Sequence, residues 1–274
     1  MSITPRTIDL LNASVPLTGL VVERDIPYGP AARHRMDVYR PERADNLPVV
    51  VWFYGGAWQS GARGDYRFVA ASLAREGLIV AVPDYRLFPD VRFPAFLEDA
   101  AMAVAHARRQ APAWGGGDRL FAVGHSAGAY IAAMLAVAPD YLEHAGLSRE
   151  ALTGAVGIAG PYDFLPIAGA DIRAVFASAA DDPRRTQPVS HVDGRNAPLL
   201  LLHGERDTTC YPRNSLALAA RIRAAGGPAW ARTYPRVGHI GIVVGFAPLL
   251  RFWAPVLADT LSFIRGGRPI QAAA

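Results

Sequence analysis

The strongest constraint on this chain is the stretch Phe121-Ala122-Val123-Gly124-His125-Ser126-Ala127-Gly128-Ala129-Tyr130. An apolar run ends in Gly-His-Ser-Ala-Gly and passes at once into Ala129-Tyr130-Ile131-Ala132-Ala133-Met134-Leu135-Ala136. The pattern predicts a buried strand, a tight turn and a helix of small residues. Gly124 and Gly128 remove the side chains that would block so sharp a corner. Such a corner lifts the Ser126 hydroxyl above a sheet, with the N-terminal amides of a helix behind it. The alternative is an ordinary strand–helix turn with Ser126 as the helix N-cap. The rest of the chain must decide between them.

Composition narrows the choice. The 274 residues are 51% hydrophobic and 19% charged, which predicts a folded chain with a large core. All 28 basic residues are arginine. Without lysine there is no Schiff-base, P-loop or kinase lysine, so those chemistries are excluded. The net charge of +4 comes from scattered arginines and predicts no nucleic-acid partner. Cys210 is the single cysteine, so an internal disulfide and a cysteine-cluster metal site are excluded. No basic segment followed by an apolar one opens the chain, and no uncharged apolar run reaches membrane-spanning length. A cytoplasmic enzyme with no membrane span is expected.

Taken in order, residues 1–19 show no clear period and could cover a site mouth or drape on the surface. Leu20–Ile26 and Arg33–Tyr39 predict an antiparallel edge hairpin, the second strand alternating Met36 and Val38 against Asp37 and Tyr39. Leu47–Phe53 reads as a central strand buried on both faces, followed by the small-residue loop Tyr54-Gly55-Gly56-Ala57-Trp58. Tyr66–Arg75 predicts a helix, Leu78–Val82 a strand, and residues 95–109 a helix introduced by Phe93-Pro94. After the Ser126 unit come a strand over Val156–Ala159 and a Pro-, Asp- and Arg-bearing segment, residues 161–197. That segment reads as a small cap insertion rather than a second domain. A strand over residues 198–202, a helix over Ser215–Ala225, a strand over Ala229–Tyr234 and a final helix over Phe246–Ile264 complete the chain. Gly266-Gly267 should stop that helix, and the Ala-rich tail should fray.

Strands alternating with helices from Leu47 onward imply an α/β fold with a mostly parallel sheet and helices on both faces. Ligands of such sheets bind beyond the carboxyl ends of the strands. Tyr54, Ser126, Asp207 and His239 each sit just after a predicted strand. A serine hydroxyl needs a base, and the base needs an orienting group. His239 is the candidate base and Asp207 the candidate orienter, in the order Ser, Asp, His expected for this architecture. Glu205 and Asp163 are the rival acids. His239 could instead be a plain loop histidine and Asp207 a helix N-cap. His203 is expected to be a structural donor. His125 is expected to point away from its neighbour Ser126. His34, His106, His144 and His191 are expected at the surface or in packing. Attack on a carbonyl creates an oxyanion, for which the Ala127 amide and those of Gly56 and Ala57 are the candidate donors.

These residues together resemble the α/β-hydrolase family, and most of all the esterases related to hormone-sensitive lipase and small bacterial carboxylesterases. The resemblance rests on Tyr54-Gly55-Gly56-Ala57-Trp58, Asp84-Tyr85-Arg86-Leu87, Phe93-Pro94-Ala95 with Glu98-Asp99-Ala100, Gly124-His125-Ser126-Ala127-Gly128, His203-Gly204 with Asp207, and Gly238-His239. It covers roughly residues 47–241. It implies a single α/β-hydrolase domain and a serine carboxylesterase that hydrolyses small esters through an acyl-enzyme, with no metal or organic cofactor. The small cap predicts short-to-medium acyl chains. Trp58, Phe88, Phe164 and Phe176 are candidate pocket walls, although core packing accounts for them equally well. One departure stands out: family members usually carry histidine before the Gly-Gly pair, where this chain has Tyr54. Its hydroxyl either braces the loop or, with Gly55, adds to the oxyanion donors. An arylformamidase-like amide hydrolase is the nearest alternative, since its loop also ends Gly-Gly-X-Trp. A non-catalytic binding member of the fold is another. None of these motifs encodes the oligomeric state or the physiological ester.

Overall fold

A computed structural model describes residues 5–266. Eight strands among them form one sheet: β1 (Leu20–Pro27), β2 (Arg35–Pro41), β3 (Leu47–Phe53), β4 (Ile79–Pro83), β5 (Gly116–His125), β6 (Gly154–Ile158), β7 (Leu199–Gly204) and β8 (Ala229–Tyr234). Their spatial order is β1-β2-β4-β3-β5-β6-β7-β8. Only the β1–β2 and β2–β4 pairings are antiparallel; β3 to β8 run parallel. A parallel sheet needs cover on both faces. The continuous apolar runs Val49–Phe53 and Leu199–Leu202 are fully buried accordingly.

The helices are α1 (Pro5–Ala13), α2 (Arg67–Ala74), α3 (Ala95–Gln110), α4 (Ala127–Val137), α5 (Asp140–His144), α6 (Ala170–Val175), α7 (Arg213–Ala224), α8 (His239–Val244) and α9 (Val256–Ile264). Every residue of α4 is buried. A helix apolar on all sides belongs in the interior, and its alanines and Gly128 let it lie close on the sheet. No described helix is long and apolar enough to cross a membrane.

Several expectations change. Tyr39 and Asp37 are buried in β2 rather than facing out, because β2 is an inner strand. Asp37 tolerates this position by accepting from Arg63 Nε at 2.8 Å and from the Asp25 amide at 3.0 Å. The single final helix does not form. Pro248 and Pro255 each remove an N–H and crowd the preceding turn, so residues 246–264 hold a 3₁₀ turn at Pro248–Leu250 followed by the shorter α9, while α8 lies before them. Gly266, with φ of 85°, ends α9. Residues 1–4 and the tail expected to fray, residues 267–274, lie outside the described residues. The aperiodic start contains α1, which docks on the surface. Asn12 accepts from the Phe68 amide at 2.9 Å and donates to the Gly64 carbonyl at 3.0 Å, while Leu11 and Val15 are buried. Residues 161–197 carry α6 and three 3₁₀ turns.

Candidate active site

The carboxyl ends of β3, β5 and β7 meet the turn after β8 at one rim of the sheet. The corner after β5 is the tightest element there. Ser126 has φ 54° and ψ −119°, a region that costs a non-glycine residue ~1–3 kcal/mol and persists only where its surroundings enforce it. They do so from both sides. The Ser126 amide donates to the Ile158 carbonyl at 2.9 Å, and its carbonyl accepts from Tyr130 at 3.0 Å. A Cβ on Gly124 would lie 2.2 Å from the Gly128 carbonyl oxygen, and one on Gly128 would lie 2.0 Å from that of Phe53. Both glycines are therefore required by backbone contact.

A second close approach joins the other two loops. A Cβ on Gly204 would lie 2.3 Å from the Val237 carbonyl oxygen, and the Arg206 amide donates to that oxygen at 3.0 Å. The end of β7 is thereby fixed to the turn that carries His239, the first residue of α8. His239 Nδ1 lies 2.7 Å from Asp207 Oδ2, and Nε2 lies 2.8 Å from Ser126 Oγ. With its proton on Nδ1, facing the carboxylate, the imidazole presents Nε2 as the acceptor for the Ser126 hydroxyl.

Asp207 is held by more than His239. Its Oδ1 accepts from the Thr209 and Cys210 amides, both at 2.9 Å. Its Oδ2 also lies 3.2 Å from His203 Nε2. Burial works against the charge, but the bonds from His203 and His239 outweigh it and hold the carboxyl well below the usual carboxylate range. The rival acids lie elsewhere. Glu205 accepts from the Thr233 hydroxyl at 2.7 Å, and Asp163 lines the cavity without bonding His239.

The loop after β3 lies against the corner: a Cβ on Gly55 would be 3.0 Å from Ser126 Cβ. Gly56 has φ 135°, Ala57 52° and Trp58 60°, a turn closed by the Gln59 and Ser60 amides on the Gly56 carbonyl. The Gly55 amide donates to the Tyr66 hydroxyl at 3.2 Å. Those of Gly56, Ala57 and Ala127 meet no protein acceptor among the described residues. Tyr54 is fully buried, and its hydroxyl accepts from Arg33 Nη2 at 2.7 Å. Arg33 also donates to the carbonyls of Tyr85 at 2.9 Å and Gly61 at 3.0 Å. Tyr85 stacks on Tyr54 at 4.7 Å and donates to its carbonyl at 2.9 Å.

A cavity of about 340 Å³ opens on Ser126, with Ala57, Trp58, Phe164, Leu165 and Cys210 among its walls. Phe176 is not a wall; it sits edge-on behind Trp58 at 4.9 Å and lines a neighbouring cavity of about 680 Å³. Phe88 is not a wall either: its amide bonds the Trp58 carbonyl at 2.9 Å, and its ring lies under Arg92. Burial and the Asp207 charge push the Cys210 thiol up to about 12, opposed by its hydrogen bond with Ser126.

Among the remaining histidines, His34 is buried with Nε2 3.0 Å from Asp99 Oδ1. His106 packs on Trp114, and His144 and His191 line a separate cavity. His125 does not simply turn away from the site: its Nε2 lies 3.0 Å from the His239 carbonyl oxygen. Arg33 and Tyr66 escape a reading by motif, since neither lies beside a catalytic candidate in sequence. The His-Gly pair at the end of β7 was the available signal for His203.

Residues 36–222 match the family model BD-FAE. The chain belongs to the BD-FAE family. That match takes in the Gly55–Ala57 loop, Ser126 and Asp207, and ends before His239. The chain is 30% identical to an isoprenylcysteine alpha-carbonyl methylesterase (ICME) of Arabidopsis thaliana over 80% of its own length and 56% of that protein. It is 31% identical to a kynurenine formamidase of Danio rerio over 52% of its length and 47% of that protein. It thus spans about half the length of these curated relatives. Esterase B of Lactobacillus rhamnosis, solved with a tributyrin phosphonate, superposes with a TM-score of 0.79 at 20% identity, covering 95% of this chain and 90% of that one. This BD-FAE member has the α/β-hydrolase fold.

Proposed function

We propose that the chain is a serine carboxylesterase acting on small carboxylic esters. The observation that carries this reading is the connected run Ser126 Oγ, His239 Nε2, His239 Nδ1, Asp207 Oδ2, with its two links at 2.8 and 2.7 Å. His239 takes the Ser126 proton as Oγ attacks the ester carbonyl. Asp207 stabilises the resulting imidazolium and fixes the tautomer. The amides of Ala127 and of Gly56 and Ala57 receive the oxyanion, each worth ~3 kcal/mol or more in the barrier. His239 returns the proton to the departing alcohol, and water repeats the sequence on the acyl-enzyme. The mechanism needs no metal or organic cofactor.

The Arg33 bond to Tyr54 supports a bracing role for that hydroxyl rather than donation to the oxyanion. The whole chain forms one hydrolase domain in this reading, with residues 161–197 as a small cap whose Phe164 and Leu165 narrow the cavity. A volume of about 340 Å³ favours short-to-medium acyl groups. The likeness to a kynurenine formamidase supports a second reading, hydrolysis of an arylformamide by the same residues.

Turnover of p-nitrophenyl esters of increasing acyl length, set beside N-formylkynurenine, separates the two. The ester reading expects higher kcat/KM on the butyrate than on the formamide, and the reverse order selects the amide. A fluorophosphonate should label the wild type and not Ser126→Ala. An unlabelled wild type would return the chain to a binding role.

A further inference from the structure

Behind Ser126 runs a chain of hydrogen bonds that the mechanism above does not use. The Gly55 amide donates to the Tyr66 hydroxyl at 3.2 Å. That hydroxyl lies 3.1 Å from His125 Nδ1, and His125 Nε2 lies 3.0 Å from the His239 carbonyl oxygen. Donor and acceptor accounting fixes every proton. A carbonyl oxygen only accepts, so His125 Nε2 carries hydrogen. The neutral ring then offers Nδ1 as an acceptor, and the Tyr66 hydroxyl must donate to it. This leaves a phenol lone pair for the Gly55 amide. No member can be replaced by an apolar residue without stranding its neighbours.

We propose that Tyr66 and His125 are positioning residues that hold the oxyanion loop and the His239 backbone at a fixed separation, one on each side of Ser126. The proposal rests on the serine-hydrolase reading of the site. Gly55 is the residue before Gly56 and Ala57, so its anchorage sets where their amides point. The His239 carbonyl belongs to the residue whose Nε2 must meet Oγ. The two ends of the chain therefore control the two distances that matter in attack: base to nucleophile, and donor to oxyanion. A misplacement of about 1 Å at either is worth ~100-fold in rate.

The surroundings suit a rigid strut. His125 is 1% exposed. The Tyr66 ring packs against Trp52 at 6.1 Å and Phe68 at 6.2 Å. Burial, and next the neighbouring His239, hold the His125 pKa down to about 3, so the ring carries no charge to disturb the imidazolium formed at His239.

The test compares Tyr66→Phe, His125→Phe, His125→Gln and the Tyr66→Phe/His125→Phe double variant on p-nitrophenyl butyrate. Each Phe variant should lose ~10- to 100-fold in kcat with KM changed less than ~3-fold. The double variant should lose no more than the worse single, because both break one chain. His125→Gln, which can still donate to the His239 carbonyl, should recover part of the loss. A Tyr66→Phe enzyme with wild-type kcat and only a lower Tm reduces Tyr66 to a packing residue and overturns the proposal. So does a double variant whose losses multiply. Imidazole ¹⁵N spectra of the wild type provide a readout independent of turnover: His125 should be protonated at Nε2 alone, and its Nδ1 resonance should shift in Tyr66→Phe. A wild type with that signature but no hydrolysis of any ester or amide rejects the hydrolase reading and leaves the bonded chain intact. A His125 protonated at Nδ1 rejects the chain itself.

Discussion

Gly128 packs so closely on Phe53 that a Cβ on the glycine would lie 2.0 Å from the Phe53 carbonyl oxygen. The contact joins the first turn of α4 to the end of β3. It therefore ties the strand-to-helix corner holding Ser126 to the loop holding Gly56 and Ala57.

Gly128→Ala should accordingly be among the most damaging single-methyl additions in the chain. Neither clashing partner is a side chain that can rotate away; the Tyr54 carbonyl oxygen is the other, at 2.6 Å. The expected loss is ~3 kcal/mol or more in stability, read from urea midpoints, with fluorophosphonate labelling lost in parallel. Gly146→Ala, whose Cβ would meet nothing within 4 Å, should cost only the strain of its φ of 80°, about 1 kcal/mol.

Asp207→Asn should leave the fold intact and lower kcat by ~10³- to 10⁴-fold. The two backbone amides on Oδ1 remain satisfied by the side-chain carbonyl. The amide nitrogen then faces His239 Nδ1 as a donor and favours the wrong tautomer. A loss smaller than ~10-fold, measured with an unchanged circular dichroism spectrum, would remove Asp207 from the mechanism.

Tyr54→Phe deletes the acceptor of the Arg33 bond while keeping the ring stack on Tyr85. Arg33 retains two carbonyl partners. A brace predicts kcat within ~2-fold of wild type and a stability loss of ~1 kcal/mol, or a few degrees in Tm. A fall in kcat of ~100-fold would make the hydroxyl an oxyanion donor instead.

His125 also makes stability depend on pH. Its folded pKa, near 3, lies below the ordinary histidine value. Between those two values the unfolded chain takes up a proton that the folded protein refuses, so stability falls as pH drops from about 6.5 toward 3. His125→Gln should remove up to ~1.4 kcal/mol per pH unit from that slope. Urea midpoints of wild type and variant at pH 7, 5.5 and 4.5 would measure it. Parallel curves would mean that the ring titrates normally.

How far this architecture can be read from residue order depends on how local each signal is. β3, β5 and β7 announce themselves as apolar runs, and Ser126, Asp207 and His239 each follow a strand within a few residues. The prolines at 248 and 255 were visible too, but apolar periodicity across residues 246–264 masked them, and one helix was expected where a 3₁₀ turn and the shorter α9 stand. His125 was harder. Its partner is the backbone carbonyl of a residue 114 positions away, and no side-chain pattern encodes a carbonyl. Asp37 escaped for a related reason. Its place in an alternating strand marked it as outward-facing, while Arg63, remote in sequence, allows it to be buried.

Ala57, Trp58 and Cys210 line the cavity on Ser126 from the loops that carry the candidate reacting groups, but the rest of its wall has another origin. Asp163, Phe164, Leu165 and Ile172 come from the excursion after β6, and Tyr211 and Arg213 from the segment leading into α7. The corner at Ser126 is clamped by β3, β6 and α4, and none of those clamps passes through these walls. On the esterase reading proposed above, substitutions in the excursion retune which molecules enter while Ser126, Asp207 and His239 stay untouched. On that same reading, selection can explore new diets for this scaffold without risking its teeth.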